Sequence, residues 1–88
     1  MKVYKYVLEV TEQQTIEIPE GAQILSVQVQ KGIPCIWALV DPNMKLTKRI
    51  YKTYGTGHPM QNLTETDKFI GTYQVANGSG VFHVFEVN

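Results

Sequence analysis

The 88 residues carry eight Lys and Arg against eight Asp and Glu, a formal net charge of zero, with 43% hydrophobic residues. That length gives one small domain over 1–88 with a thin core, since such a chain buries roughly 60–65% of the surface its unfolded form exposes. The charge balance excludes a polybasic nucleic-acid binder acting through bulk charge, and it excludes an acidic tail.

Met1 to Tyr6 shows no apolar h-region, so no secretory leader is expected. No apolar run approaches the roughly 20 residues of a membrane span, and a soluble protein is the expectation. From Lys2 to Val10 the pattern has period two: Tyr4, Tyr6, Leu8 and Val10 share one face, with Lys5 and Glu9 opposite. Thr15-Ile16-Glu17-Ile18 repeats the alternation and stops at Pro19, with Glu20-Gly21 as a turn. Ile24 to Gln30 reads as a half-buried strand with Leu25, Val27 and Val29 inward, and Lys31-Gly32 turns it into a hairpin. Residues 35–40 are apolar on both faces and read as a central strand. Cys35, the lone cysteine, excludes an intrachain disulfide and is expected to act as a small core hydrophobe.

Asp41-Pro42-Asn43 ends that strand. Thr47 to Tyr54 is rich in Thr, Ile and Tyr and reads as strand; a helix through Leu46 and Ile50 is the alternative. Gly55 to Asp67 is read as one long loop with a helical turn near Asn62 to Glu65. Phe69 to Val75 is a strand, Asn77-Gly78-Ser79-Gly80 a turn, and Val81 to Val87 the last strand. The expectation is an all-β protein, a small antiparallel β-sandwich or partly open barrel of about seven strands. So small a sheet leaves edges to blunt or pair, which makes a homodimer or higher homo-oligomer the expected state.

The chemistry of the chain is thin. His58 and His83 stand apart, and no phosphate loop, dinucleotide fingerprint, nucleophile elbow or metal-ligand spacing occurs. No enzymatic activity, cofactor or metal is expected. Lys45, Lys48, Arg49 and Lys52 hold half of the positive charges within eight residues, with no acid among them. On a strand, Lys48 and Lys52 share a face with Ile50 and Tyr54, while Arg49 and Tyr51 lie opposite. Arg gives bidentate contacts to phosphate and Tyr offers a stacking surface; lysines guarding a solvated edge strand are the plain alternative. In Tyr54-Gly55-Thr56-Gly57-His58-Pro59, two glycines let consecutive N–H groups form an anion nest, with Thr56 and His58 adding polar contacts; a tight turn is the alternative. His83 shares parity with Val81, Phe85 and Val87 and is placed on the inner face, and Trp37 is likewise placed in the core.

The block from Ile24 to Asp41 resembles one found in a family of small uncharacterised bacteriophage and prophage proteins. So do Tyr54-Gly55-Thr56-Gly57-His58-Pro59, Phe69-Ile70-Gly71-Thr72 and Phe82-His83-Val84-Phe85-Glu86. The resemblance implies a phage origin and work in the host cytoplasm, and it carries over no catalytic residue. Small phage proteins of this size often antagonise host defence, either by sequestering a nucleotide signal or by masking a host protein, and the resemblance implies such a role. The expectation is therefore a non-enzymatic accessory protein that sequesters a small anionic, nucleotide-like ligand. Its site would comprise Lys48, Arg49, Tyr51, Lys52, Tyr54, Gly55, Thr56, Gly57 and His58. The alternatives are a module that blocks a host protein and a minor virion or assembly component.

Overall fold

Period-two alternation sorts the chain into seven strands in a computed structural model that describes residues 1–88. They are β1 (Lys2–Val7), β2 (Gln13–Pro19), β3 (Gln23–Gln30), β4 (Ile33–Val40), β5 (Leu46–Gly55), β6 (Lys68–Val75) and β7 (Gly80–Glu86). The strands make two antiparallel sheets, the first ordered β1-β4-β3 and the second β2-β5-β7-β6. The segment for which a helix is the alternative is strand from Leu46 to Gly55. The sole helical element is a short 3-10 turn at Ala76–Gly78, and no helix is long and apolar enough to cross a membrane.

The sheets face each other around Leu8, Ile18, Val27, Ile36, Ala38, Val40, Tyr51, Tyr73 and Val84, all buried. β4 is the central strand of its sheet, with Ile36, Ala38 and Val40 fully buried on the core side. Cys35 is buried, as a small hydrophobe should be. Two tight turns set the crossings. Lys31 and Gly32, at φ 50° and 79°, give the two positive dihedrals a two-residue hairpin needs. Gly21, at φ 81°, lets Ala22 N–H donate to the Pro19 carbonyl, which carries the chain from β2 to β3 and from one sheet to the other.

The sandwich closes on one side only. β3 packs along β6 without joining its ladder, while β1 and β2 remain as free edges on the opposite side. With β3 over β6, a first sheet of three strands leaves β2, the outermost of four in the second, without a counterpart above it. The architecture is a sandwich open along β1 and β2.

Four sequence expectations are corrected. A bulge at Leu25 shifts the register of β3 between Ile24 and Ser26, so Ile24 faces the core and Leu25 is exposed. An extra residue inverts the pleat on one side of it, which simple alternation cannot anticipate. His83 is not on the inner face: Val84 is fully buried in the core and Phe82 packs against it, so His83 points outward with Phe85. Trp37 lies on the outer face of the first sheet with the Lys5 ammonium 5.9 Å from its ring centre, rather than in the core. The loop from Thr56 to Asp67 opens on the Gly55–His58 turn and holds two more, closed by Leu63 N–H to Met60 and Asp67 N–H to Thr64, in place of the expected helical turn.

Candidate functional site

β5 presents the basic cluster as the alternation requires, Arg49 and Tyr51 inward and Lys48, Lys52 and Tyr54 outward. The fold then pairs three of the four cations with an acid from elsewhere. Arg49 donates from Nε and Nη2 to the Glu86 carboxylate of β7 and from Nη1 to the Ala22 carbonyl. The hydrogen bond to Glu86 raises the Arg49 pKa further above its already high value. Lys52 Nζ donates to Asp67 at 2.8 Å and to the Asn62 carbonyl, which fastens the 56–67 loop across the outer face of the second sheet. Lys45 lies 3.6 Å from Glu20, and Lys48 stands opposite Glu17 in the β2–β5 register.

The aromatic and loop residues are committed as well. Tyr51 has none of its surface exposed, and burial followed by the nearby Glu86 charge pushes its phenol far up. Tyr54 is 5% exposed and packs edge-on against Phe85 under the loop. Neither ring is free to stack on a base. The expected nest is not formed, because Thr56 N–H donates to the Val81 carbonyl and His58 N–H to the Gly55 carbonyl. Thr56 Oγ1 sits 2.7 Å from His83 Nε2, whose other ring nitrogen meets Thr72 Oγ1 at 2.9 Å. Six residues of strand also separate Arg49 from Gly55, about 20 Å. The nine residues do not share one pocket.

The sandwich has an opening at each end, and of the nine only Arg49 lines the first and only Tyr54, Gly55 and His58 the second. At one end a polar groove of about 300 Å³ lies between Ala22–Ile24 and Arg49, Lys68, Ile70 and Glu86. At the other a cavity of about 230 Å³ is walled by Val10–Glu12 on one side and by Tyr54, Gly55, His58 and Pro59 on the other, with Thr53 and Phe82. His58 builds the wall of this cavity: a Cβ on Gly55 would lie 2.5 Å from its ring, so the absent side chain is what seats the imidazole. A smaller depression of about 180 Å³ continues past His58 to Ser79–Val81.

Thr53 is the residue that sequence reasoning missed here. It is 7% exposed, it lines the cavity beside His58, and its hydroxyl is buried without a partner, as is that of Tyr54 in the same lining. Buried polar groups are ordinarily satisfied, so an orphaned hydroxyl in a cavity wall marks the place where something polar can bind. Glu12 is the sole carboxylate of that lining, and no Lys or Arg contributes to it.

The Lys52–Asp67 pair carries a pH prediction. Its hydrogen bond to Lys52, above all, holds the Asp67 carboxyl below the ordinary aspartate value. A carboxylate depressed in the folded state stabilises above its unfolded pKa, and that contribution fades as pH falls through the folded one. The loss should therefore appear below about pH 4. Urea midpoints at neutral pH and in acid should converge in part for wild type and Asp67→Asn; parallel losses in both would remove this pair from the acid response.

Fold and openings together define an antiparallel β-sandwich with ligand-sized hollows at its ends and one unclosed side. The chain belongs to a family described as a domain of unknown function (DUF7352), whose model matches residues 1–88. No curated protein and no solved structure matches it.

Proposed function

We propose that this protein is a non-catalytic binding module that captures and holds a small nucleotide-like ligand, ring first, in the cavity beside Gly55 and His58. The observation that carries the reading is the unpartnered Thr53 hydroxyl in that cavity wall. Phe82 and Pro59 supply apolar and planar surface for a ring, while Thr53, Glu12 and His58 supply polar contacts at its edge. With no Lys or Arg in the lining, a phosphate on such a ligand extends out of the cavity rather than into it. The one hydrogen bond among Glu12, His58 and Thr53 is between backbones, Thr53 N–H to the Glu12 carbonyl, and does not activate the hydroxyl as a nucleophile, which favours holding over turnover. A phage origin and a role against host defence in the host cytoplasm complete the proposal.

The test is titration with adenosine and with AMP, read by native mass spectrometry and calorimetry. Thr53→Val keeps the shape and removes the hydroxyl, so binding should weaken roughly tenfold while stability holds or rises. Adenosine and AMP should bind alike if the phosphate lies outside. If neither probe binds and protein purified from infected cells carries no small-molecule adduct, the reading fails. A second reading, a module that masks a partner protein by strand addition, draws on the free edges of β1 and β2.

A further inference from the structure

The two free edges match each other. Leu8 N–H donates to the Pro34 carbonyl and continues the β1–β4 register, so the even-numbered residues of β1 hold β4. Val3, Lys5 and Val7 consequently aim their N–H and C=O groups away from the sheet. Thr53 N–H to the Glu12 carbonyl and Glu20 N–H to the Lys45 carbonyl fix the phase of β2 in the same way. Gln13, Thr15 and Glu17 are therefore its outward residues, and Pro19 falls at an outward position where its missing N–H costs no ladder bond. Val3, Lys5, Val7, Gln13, Thr15 and Glu17 also place their side chains on the solvent face, whereas Pro19 is buried. Charge differs in sign: β1 carries Lys2 and Lys5 and no acid, whereas Glu12 and β2 with its Glu17 carry no base.

We propose that a second copy of this chain occupies this side, β1 of each copy pairing with β2 of the other about a two-fold axis parallel to the strands. Such an axis exchanges the layers, so the three-stranded sheet of one copy continues into the four-stranded sheet of the second. β1 and β2 run in opposite directions, joined by the short 8–12 connection, so both joints are antiparallel. In the proposed joint Val7 lies opposite Gln13 of the second copy and Lys5 opposite its Thr15. Lys5, whose Nζ donates to Gln30 Oε1 at 2.8 Å in the single chain, exchanges that contact for Thr15 of the second copy, with Glu17 of that copy one diagonal step away. The overhanging β2 fits the shorter first sheet, and inward-facing groups left uncovered at the opening gain cover. Tyr4 faces inward opposite Ala38 yet is 36% exposed, and Ile16 is half-buried. One closed two-fold contact resolves both edges, where pairing β1 with β1 alone leaves β2 open.

Native mass spectrometry and light scattering over a concentration series read the result, and a dimer is expected. Lys5→Glu and Glu17→Lys should each weaken it about tenfold, since symmetry repeats the contact, and the double exchange should restore it. Thr15→Pro and Lys5→Pro each remove an outward N–H and no intrachain ladder bond, so either should give monomer with unchanged far-ultraviolet circular dichroism. A wild-type monomer up to the solubility limit overturns the proposal. So does a dimer lost in Lys5→Pro but intact in Thr15→Pro, the mark of β1 pairing with itself. Should a proline variant unfold, the charge exchange decides alone: a double variant no tighter than the single ones overturns the joint.

Discussion

Glu86→Ala is expected to lower stability by about 2–3 kcal/mol, and Arg49→Met together with Glu86→Leu to recover much of that loss. The Arg49 and Glu86 side chains are 21% and 13% exposed, so the pair is largely but not wholly withdrawn from water. Its two parallel hydrogen bonds, with the third from Arg49 Nη1 to Ala22 at 2.7 Å, tie β5 and β7 to the start of β3 in the opposite sheet. Removing the carboxylate leaves a guanidinium facing a carbonyl and an apolar interior without its counter-charge. A fully buried pair loses about 3–5 kcal/mol on such a break, and partial wetting discounts the figure here. For a domain of this size each kcal/mol moves the midpoint roughly 4–8 °C, so a Tm fall of at least 8 °C should be measured. A fall under about 2 °C would show that the clip is idle. The result also bears on any ligand experiment, because Arg49→Ala acts on the sandwich itself before it can act on a bound anion.

The strands were legible because most of the evidence for them is local. Apolar residues at alternate positions, Pro19 and Asp41-Pro42-Asn43 as stops, and Lys31-Gly32 as a hairpin signal are each read from a few neighbours. The bulge at Leu25 was not legible, since Ile24 and Leu25 are both apolar and either could point inward. The choice is made by the partner strand: Ile24 pairs with Ala38 and Ser26 with Trp37, a register absent from the β3 sequence. The same reason misplaced His83. Val81, Phe82, Val84 and Phe85 offer apolar residues to both faces, and what settles the matter is that the 56–67 loop covers the outer face, where Tyr54 and Phe85 make a second small cluster.

The site was less legible for a related reason. Lys45, Lys48, Arg49 and Lys52 look unopposed because no acid lies within their own segment. Counter-charges for three of them come from Glu20, Glu86 and Asp67, and Lys48 stands opposite Glu17, all set against β5 by three other segments of chain. A charge run on a central strand is especially open to this, having a neighbour on each side. The Gly55–His58 segment did mark a cavity, although through the seat it gives the imidazole and not through its N–H groups. Thr53 carried no signal at all. An orphaned hydroxyl is visible only when every group around it has been placed.

Gly71→Val is expected to cost about 3 kcal/mol, the largest effect of a single added side chain on the closed side of the sandwich. Gly71 lies on β6 opposite Val84, and a Cβ built there would stand 2.8 Å from the Val27 Cβ and 2.9 Å from its Cγ2. Val27 is 7% exposed on β3 and cannot swing into solvent. Gly55→Ala makes a closer nominal contact, 2.5 Å, but with the ring of His58, an exposed loop residue that can turn aside. That variant should change stability by less than about 1 kcal/mol and alter the cavity wall instead. Urea midpoints measure both, and a Gly71→Ala, Val27→Ala cycle should show coupling of about 1 kcal/mol or more. Additive losses would mean that β3 and β6 are held together by something other than this fit. Strong coupling would place the closure of the sandwich in one methyl-sized space: β3 and β6 share no hydrogen-bond ladder, so their approach rests on side chains meeting bare backbone.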